Sequence, residues 1–387
     1  MAHHHTIFGQ MLQMFSRFEF QKAVNETKSE YHARGFRSWN HFVSMLFGQL
    51  SNQDSLRGIE AGLATQAKTL YHLGVRPIHR STLAYANEHR SHELFKKIFE
   101  WMLSKCQPVA PKHKFKFKNP LYSIDATIIT LCLSLFNWAK FRTKKGAVKL
   151  HVKLNHSGYL PTFARITPGK EHEGRVAPHI PLEKGDVAVF DRAFTNFAWY
   201  ATLCERGIYF VTRLKKNADY RVVERKSTDH LKNITSDQII ELTGFSTKKK
   251  MPYQLRRIRS KDPETGKCIV LLTNQFEWSA ATIAQVYKDR WQIELFFKAI
   301  KQQLKVKSFV GTSENALLSQ IWVALIAYLL LSYLKFQSKF SWSLYTLSAI
   351  LPTNLFSRRN LWDWLNAPYH DHSNSPPDEL QYALSFG

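Results

Sequence analysis

The chain has 387 residues, of which 44% are hydrophobic, so it can bury a large interior and is too long for one small core. Its 54 Lys and Arg against 30 Asp and Glu give a net charge of +24, which favours a polyanionic partner such as nucleic acid, with an anionic membrane surface as the alternative. The cysteines form no C-x-x-C pair, so a zinc knuckle or a disulfide framework is not expected and reduced thiols are predicted at Cys106, Cys132, Cys204 and Cys268.

The first part of the chain, about 1–103, predicts an all-helical domain. Aromatic and aliphatic residues recur there at helical spacing, and Ser38 and Asp54 are placed to cap two of the helices. A Gly/Pro turn at 73–77 and a short basic helix at 79–90 follow in the order of a helix-turn-helix that reads DNA. A purely structural helical bundle gives the same pattern, so both interpretations stay open. No signal peptide is expected, and the histidines at 3–5 predict a disordered start.

A basic linker is predicted at 104–119. It contains Pro108, Pro111 and the run Lys112–Lys118, in which lysines alternate with His113, Phe115 and Phe117. The run is either a solvated linker or a basic strap that lies over DNA. The interleaved phenylalanines favour partial burial.

The next segment predicts strands that end at two aspartates. Leu121–Thr127 is predicted to be a strand carrying Asp125 near its end, and it is followed by a hairpin, Ala147–Leu154 and Tyr159–Ile166, with a turn at 155–158. Asp125 would then lie on a central strand. Val187–Asp191 is almost wholly apolar, as in a strand covered on both faces, and Asp191 stands at its carboxyl end. That edge is where ligands bind in open α/β sheets.

A β-rich insertion is predicted over about 214–276. A helix at about Asn196–Arg206 and a strand at Ile208–Thr212 precede it. Many Lys and Arg fall within it, and its short strands are predicted at Tyr220–Val223, Tyr253–Ile258 and Cys268–Leu272.

The stretch Tyr287–Lys301 predicts one helix with a charged stripe. At about 100° per residue, Tyr287, Arg290, Glu294 and Lys301 fall within about 60° of one another, and Lys298 projects close to them. Apolar residues occupy the neighbouring face, so the helix can pack on a core and still present Glu294. A line of cations around a carboxylate suits phosphates, but an ordinary amphipathic helix with a solvated face gives the same pattern.

The remaining chain predicts a helical extension and tail over 337–387. The apolar run Ile321–Leu334 before it is shorter than the roughly 18 to 20 residues that a membrane span needs, so a buried helix is expected and no membrane association. The end of the chain, from Ala367, is expected to be poorly ordered.

The spacing Tyr287-x2-Arg290-x3-Glu294-x6-Lys301 resembles the Y-R-E-K signature of the DDE transposases of the insertion-sequence-four family. Strand, hairpin, strand, helix, strand and a helix with glutamate are also in the order of a ribonuclease-H-like fold. The predicted fold class is therefore α/β, with a ribonuclease-H-like catalytic core over 120–336 behind the all-helical N-terminal domain. The resemblance implies that Asp125, Asp191 and Glu294 form the catalytic DDE triad, and Asp191-Arg192-Ala193-Phe194 is similar to the family's context around the second aspartate.

Three carboxylates in one site repel one another, so a cation is expected to compensate them. Oxygen ligands suit Mg²⁺ or Mn²⁺, and two such ions about 4 Å apart could support attack on phosphorus. Phosphate contacts are expected from cations, and a phosphate contact or base stacking from the tyrosine. The predicted DNA-binding residues are Tyr287, Arg290, Lys298, Lys301 and Arg192.

The predicted function is a DNA transposase that binds terminal inverted repeats, cuts them and joins the ends to target DNA. The function and the family imply a homodimer in the synaptic complex, and a cytoplasmic, nucleoid-associated protein of a bacterium. Two alternatives stay open: a DNA-binding protein of the same fold that no longer cuts, and a ribonuclease-H-fold nuclease.

Overall fold

The computed structural model describes residues 5–31, 33–131, 138, 140–142, 145–228, 231–262, 266–304 and 310–369. Cys132, the histidines at 3 and 4 and the tail from 370 onwards lie outside these ranges. The expectations of a reduced thiol at 132 and of poor order at both ends therefore stay predictions.

The N-terminal part is helical, as predicted. Its helices are α1 (Ile7–Leu12), α2 (Arg17–Thr27), α3 (Ser38–Leu50), α4 (Leu56–Ala64), α5 (Ala67–Leu70), α6 (Arg80–His89) and α7 (Glu93–Cys106). The two predicted caps are wrong. The Ser55 hydroxyl, not Asp54, accepts from the Gly58 N–H at 3.0 Å at the start of α4. Ser38 is itself the first residue of α3, and its N–H donates to the Glu30 carboxylate at 2.7 Å, so a side chain from outside the helix supplies the acceptor.

One large sheet follows, with the order β4-β3-β1-β5-β6-β10-β9-β8-β7 and β2 beside β3. Its strands are β1 (Leu121–Leu131), β2 (Lys140–Arg142), β3 (Lys145–Asn155), β4 (Leu160–Pro168), β5 (Val187–Phe190), β6 (Tyr209–Arg213), β7 (Tyr220–Lys226), β8 (Ile234–Leu242), β9 (Leu255–Lys261) and β10 (Cys268–Thr273). β1 pairs antiparallel with β3 and parallel with β5, and β5 pairs parallel with β6. This is the strand order of a ribonuclease-H-like core, extended by the antiparallel strands β7–β10.

Strand β8 is missing from the sequence-based prediction. Its centre carries Asp237 and Gln238, which interrupt the apolar alternation that marks a strand. Both are nevertheless buried, because Asp237 forms an ion pair with Arg256 at 2.7 Å and Gln238 accepts from Arg257 at 3.0 Å on the neighbouring strand. Paired side chains replace the apolar contacts expected there.

The remaining helices cover both faces of the sheet. They are α8 (Glu173–Val176), α9 (Phe197–Glu205), α10 (Phe245–Lys250), α11 (Ala280–Asp289), α12 (Gln292–Lys298), α13 (Glu314–Gln337), α14 (Leu344–Asn354) and α15 (Leu361–Asn366). A π-helical segment, Ala299–Gln303, extends α12. α9 packs with Ile124 and Phe190 on one face of the sheet, whereas α11 packs with Leu121 and Val189 on the other.

Helix α13 is the centre of the largest core. It is long and apolar enough to cross a membrane, but 89% of its most apolar window is buried within the protein. It packs against α3 and α7, and the same core takes in α12, α14 and one face of β1 and β3. The prediction of a buried helix is confirmed.

Candidate active site

The sheet brings Asp125 and Asp191 next to each other. In the parallel pairing of β1 with β5, Ile124 lies opposite Phe190, so the following residue of each chain segment is one of the two aspartates. Ile124 and Phe190 both point towards α9, and successive side chains alternate between faces. Asp125 and Asp191 therefore both project on the α11 side, from segments about 4.8 Å apart.

Arg290 joins Asp125 to Glu294. Its Nη1 donates to Asp125 Oδ2 at 3.0 Å, across 165 positions of sequence, and its Nη2 donates to Glu294 Oε1 at 2.7 Å. The side chain of Arg290 is 15% exposed, that of Asp125 19% and that of Glu294 36%. One guanidinium thus holds two of the three predicted carboxylates at a half-buried position that solvent reaches.

The single helix predicted over Tyr287–Lys301 is wrong. α11 ends at Asp289, and the chain passes through a tight turn in which Ile293 N–H donates to Arg290 O at 3.1 Å and Glu294 N–H to Trp291 O at 3.0 Å, both three residues back. α12 follows and widens into the π-helical segment. A tighter turn advances more than 100° per residue and a π-helix less, so the angles computed for a uniform helix do not hold across the stretch. Arg290 still reaches Glu294 because they are only four residues apart.

Burial and neighbouring charge both act on Asp125. Burial raises the pKa of its carboxyl to about 6, and the charges of Asp191 and Glu294 add to the rise, against the Ala126 N–H and Arg290, which lower the pKa. Asp191 Oδ1 accepts from the Ala193 N–H at 2.8 Å. The cluster thus combines three carboxylates with one guanidinium, which contacts two of them directly.

The other predicted DNA-binding residues differ in position. Tyr287 is only 8% exposed and lies under Arg290, whose Cζ is 5.8 Å from the ring centroid, so its ring is not presented for stacking on a base. Arg192 is exposed beside Asp191, and Lys298 is exposed on α12 one turn beyond Glu294. Lys301 lies on the π-helical segment.

A cleft of about 740 Å³ borders Lys298 between α12, α13 and α14. Lys335 is its second cation, no Asp or Glu belongs to its lining, and Leu295 and Tyr345 contribute exposed apolar surface. The charge and the aromatic surface suit a nucleic-acid strand.

Asp289 is a buried carboxylate next to Arg290 that the sequence pattern does not single out. It is buried, and its carboxylate accepts hydrogen bonds from His156 Nδ1 at 2.7 Å and Lys114 Nζ at 2.5 Å. A signal was present, since Asp289 falls at about 200° from Tyr287, within the apolar face of the predicted helix. A carboxylate on an apolar face needs a buried partner.

The donor chemistry of Asp125, Asp191 and Glu294 fits Mg²⁺ or Mn²⁺, which prefer carboxylate oxygens, and the raised pKa of Asp125 marks a cluster that a cation would relieve. Within the described ranges, however, no group of three or more His, Cys, Asp or Glu side chains is close enough to hold a metal. Arg290 occupies one oxygen of Asp125 and one oxygen of Glu294, and it would have to release these two oxygens for a metal to use them.

Comparisons with known proteins identify the family of the chain. Residues 116–330 match the family described as transposase DDE domain, and residues 3–76 match a domain of unknown function. The chain is 31% identical over 267 residues to the probable transposase for insertion sequence element IS5377 of Geobacillus stearothermophilus, covering 69% of this chain and 70% of that protein. It is 24% identical over 201 residues to transposase InsG for insertion sequence element IS4 of Escherichia coli, covering 48% and 43%.

A solved structure, the piggyBac transposase synaptic complex with hairpin DNA, is similar with a TM-score of 0.42 and 12% identity, covering 90% of this chain and 78% of that chain. The match to the transposase DDE domain family alone spans more than half of the present chain. The alignment with the Geobacillus stearothermophilus transposase covers more than two thirds of that protein's length. The chain belongs to the DDE transposases of insertion sequences.

Proposed function

We propose that this transposase binds the terminal inverted repeats of its insertion sequence, cleaves the DNA there and joins the ends to a target DNA. The observation that supports this most directly is the meeting of Asp125 and Glu294 on Arg290, with Asp191 on the adjacent segment. Carboxylates gathered at the end of parallel strands, beside a cation, suit phosphoryl transfer on a polyanion.

Asp125, Asp191 and Glu294 would hold two Mg²⁺ or Mn²⁺ ions. Such ions would activate a water or a 3′-hydroxyl and stabilise the leaving oxygen. Arg290 donates to one oxygen of Asp125 and one of Glu294, so a cation held by those two oxygens would displace its guanidinium. Its planar fork would then be free to pair with a phosphate through two hydrogen bonds.

The DNA would lie across exposed cations around the carboxylates. Arg192 stands beside Asp191, and Lys298 leads into the cleft that Lys335 also lines. Lys301 is a further proposed phosphate contact. Tyr287 would act through its hydroxyl or by supporting Arg290, since its ring is buried.

Transposition holds two element ends together, so we propose a homodimer in the complex with DNA, acting on chromosomal DNA in the cytoplasm. Mass photometry with a duplex carrying one terminal repeat tests this. The expected particle contains two protein copies and two duplexes. A particle with one protein copy on each duplex, at every protein concentration, would contradict the dimer.

The first experiment is cleavage of a labelled duplex that carries the element's own terminal repeat, in Mg²⁺ or Mn²⁺, by the wild type and by Glu294→Gln. We expect cleavage at the repeat boundary by the wild type and none by Glu294→Gln, with DNA binding retained, because the substitution removes a proposed metal ligand and keeps the shape. Glu277→Gln, at an exposed glutamate outside the cluster, is the control and should cleave normally.

Two results would contradict the proposal. Binding of the repeat without cleavage by either protein would favour a DNA-binding protein that no longer cuts. Cleavage that ignores the repeat would favour a ribonuclease-H-fold nuclease.

A further inference from the structure

A chain of buried hydrogen bonds lies directly behind the carboxylate cluster. The Ser123 hydroxyl and His156 Nε2 are 2.7 Å apart, and His156 Nδ1 and Asp289 Oδ2 are also 2.7 Å apart. Ser123 is 0% exposed, His156 2% and Asp289 5%. Lys114 and Tyr159 also contact the Asp289 carboxylate, at 2.5 Å and 3.4 Å. These hydrogen bonds thus connect β1, the β3–β4 turn and the end of α11.

The direction of the hydrogen bonds follows from the charge of Asp289. Burial alone would raise the pKa of Asp289, but hydrogen bonds from His156 and Lys114 outweigh it and the pKa is lowered, so the carboxylate is ionised and accepts. His156 Nδ1 therefore carries the proton, and Nε2 accepts from the Ser123 hydroxyl. Burial lowers the pKa of His156, which keeps the imidazole neutral.

The order serine, histidine, aspartate is also that of a nucleophilic relay in hydrolases. A nucleophile has to reach its substrate, whereas the Ser123 side chain is fully buried and its hydroxyl is hydrogen-bonded to His156. These hydrogen bonds therefore form an internal connection between segments of the protein, not a second reaction centre.

The hydrogen bonds of Ser123, His156 and Asp289 lie next to the carboxylate cluster. Ser123 and Asp125 are two residues apart on one face of β1, and Asp289 and Arg290 are consecutive at the α11–α12 turn. Asp289 is tied to Ser123 through His156, and Arg290 is tied directly to Asp125. The same two segments are thus joined twice, side by side. A slip of the turn by one residue along β1, about 3.3 Å, would break both connections.

The two connections differ in what they can do. The Arg290 connection is made from groups that the proposed reaction needs, and Arg290 would release Asp125 when cations or phosphates bind. The Asp289 connection is buried and involves none of the proposed metal ligands, so it persists when Arg290 moves. A buried polar network with its partners satisfied specifies one arrangement, because every alternative leaves polar groups unpaired.

We propose that Ser123, His156 and Asp289 are positioning residues that fix the register of the α11–α12 turn against β1, and so hold Glu294 and Arg290 at a working distance from Asp125. This inference rests on the proposed function, because it assigns the three residues a part in assembling that metal site.

The test compares His156→Asn with His41→Asn. His41 is a second fully buried histidine, whose Nε2 and Asn87 Oδ1 are 2.6 Å apart in the N-terminal helices, so the same substitution removes a similar buried group away from the carboxylates. Ser123→Ala is a milder variant, which removes only the hydroxyl and keeps the test possible if His156→Asn does not fold. Three quantities are measured: Mn²⁺ affinity by electron paramagnetic resonance, the single-turnover cleavage rate at saturating metal, and the Kd for the repeat duplex without added metal.

We expect His156→Asn to weaken Mn²⁺ binding by about 10-fold, as loss of groups supporting metal ligands does. Its cleavage rate should fall by about 100-fold, as a displacement near 1 Å can cause. Ser123→Ala should change both in the same direction by a smaller factor. The Kd for DNA should stay within about twofold, because phosphate contacts dominate it. His41→Asn should lose thermal stability while keeping wild-type Mn²⁺ affinity and cleavage rate.

Wild-type Mn²⁺ affinity and rate in folded His156→Asn and Ser123→Ala would overturn the inference, and so would equal losses in His41→Asn. A wild-type protein that binds Mn²⁺ but cleaves no DNA would refute the proposed function and leave the Mn²⁺ comparison to decide the positioning role. A wild type that neither binds Mn²⁺ nor cleaves would overturn both.

Discussion

Arg290 is the one guanidinium that contacts Asp125 and Glu294 among the residues that the structure describes, and Asp191 brings a third carboxylate close. Full ionisation would leave these groups with excess negative charge. Burial is the chief cause of the raised pKa of Asp125, about 6, and the charges of Asp191 and Glu294 add to it. Such a site favours a bound cation, and without one its ionised carboxylates lower the stability of the protein.

Replacement of Asp125 by Asn should therefore stabilise the protein near neutral pH while it abolishes cleavage. The native pKa of about 6 lies above the ordinary value of 3.8, so the ionised carboxylate opposes folding above pH 6. At roughly 1.4 kcal/mol per pKa unit, its removal should raise the free energy of unfolding by up to about 3 kcal/mol. Urea unfolding at pH 7.5 without divalent metal measures this quantity.

The sign of the pH dependence provides the control. Asp125 is protonated in both states only below the unfolded pKa of 3.8, so the gain from Asp125→Asn should shrink as the pH falls through 6 and be only about 0.5 kcal/mol at pH 4. Asp219→Asn, at an exposed aspartate, should change stability by less than about 0.5 kcal/mol at either pH. A loss of stability in Asp125→Asn at pH 7.5 would contradict the argument.

At the scale of elements, apolar runs bounded by turn residues carry most of the predictable information. They locate β1, the β3–β4 hairpin and β5, and with them the strand ends that bear Asp125 and Asp191. The tight turn at Arg290 was not predictable, because no Gly or Pro marks it and the periodicity continues on both sides. β8 was hidden for a different reason, since its centre is polar and its partners lie on another strand.

The candidate site was predictable to a similar extent. The spacing of Arg290 and Glu294 within one turn brings those two together in any helical conformation. The connection of Asp289 to Ser123 through His156 draws on segments that are far apart in sequence. Only the fold decides which distant side chain satisfies a buried carboxylate, so the sequence shows the need for a partner and not its identity.

The basic strap at 112–118 combines two faces. Phe117 stacks on Trp278 with ring centroids 3.8 Å apart, and Phe115 stacks on Phe117. The alternate residues Lys112, Lys116 and Lys118 are exposed. The phenylalanines therefore attach the strap to the core beside α11, and the lysines remain available to phosphates.

Replacement of Lys116 by Gln should weaken DNA binding without a change in stability. One lost phosphate contact should flatten the slope of log K against log salt by about 0.9, which fluorescence anisotropy at several salt concentrations would measure. Lys339→Gln, at an exposed lysine near the end of α13, should leave the slope unchanged. Equal effects of the two substitutions would mean that the strap is only a linker.

At the scale of the whole molecule, α13 binds the N-terminal helices to the sheet. Its side chains share one apolar core with α3, α7, β1 and β3, so the N-terminal helices and the carboxylate cluster are parts of one packed body. The domain boundaries predicted at 103, 119 and 336 stay predictions. A DNA duplex bound by the N-terminal helices would consequently be held at a fixed position relative to Asp125.

Buried neutral histidines should make this body sensitive to mild acid. Burial lowers the pKa of His41 to about 3, that of His151 to about 4 and that of His156 below its ordinary value of 6.5. The unfolded chain binds protons at these groups below about pH 6.5 and the native protein does not, so stability present above that pH is lost as the pH falls towards 4. Ordinary carboxylates contribute mainly below about pH 5. Asp125, with its pKa raised to about 6, becomes protonated in the native protein within the window from pH 6.5 to 5 and opposes the loss by roughly 1 kcal/mol, so a net fall in stability there reports on the histidines.

Urea unfolding across that window should show a net loss of at least about 2 kcal/mol, and His41→Gln should show a smaller loss because one proton fewer is taken up. A flat stability between pH 6.5 and 5 would mean that these imidazoles are protonated inside the native protein, and it would remove the neutral His156 on which the hydrogen-bond directions depend.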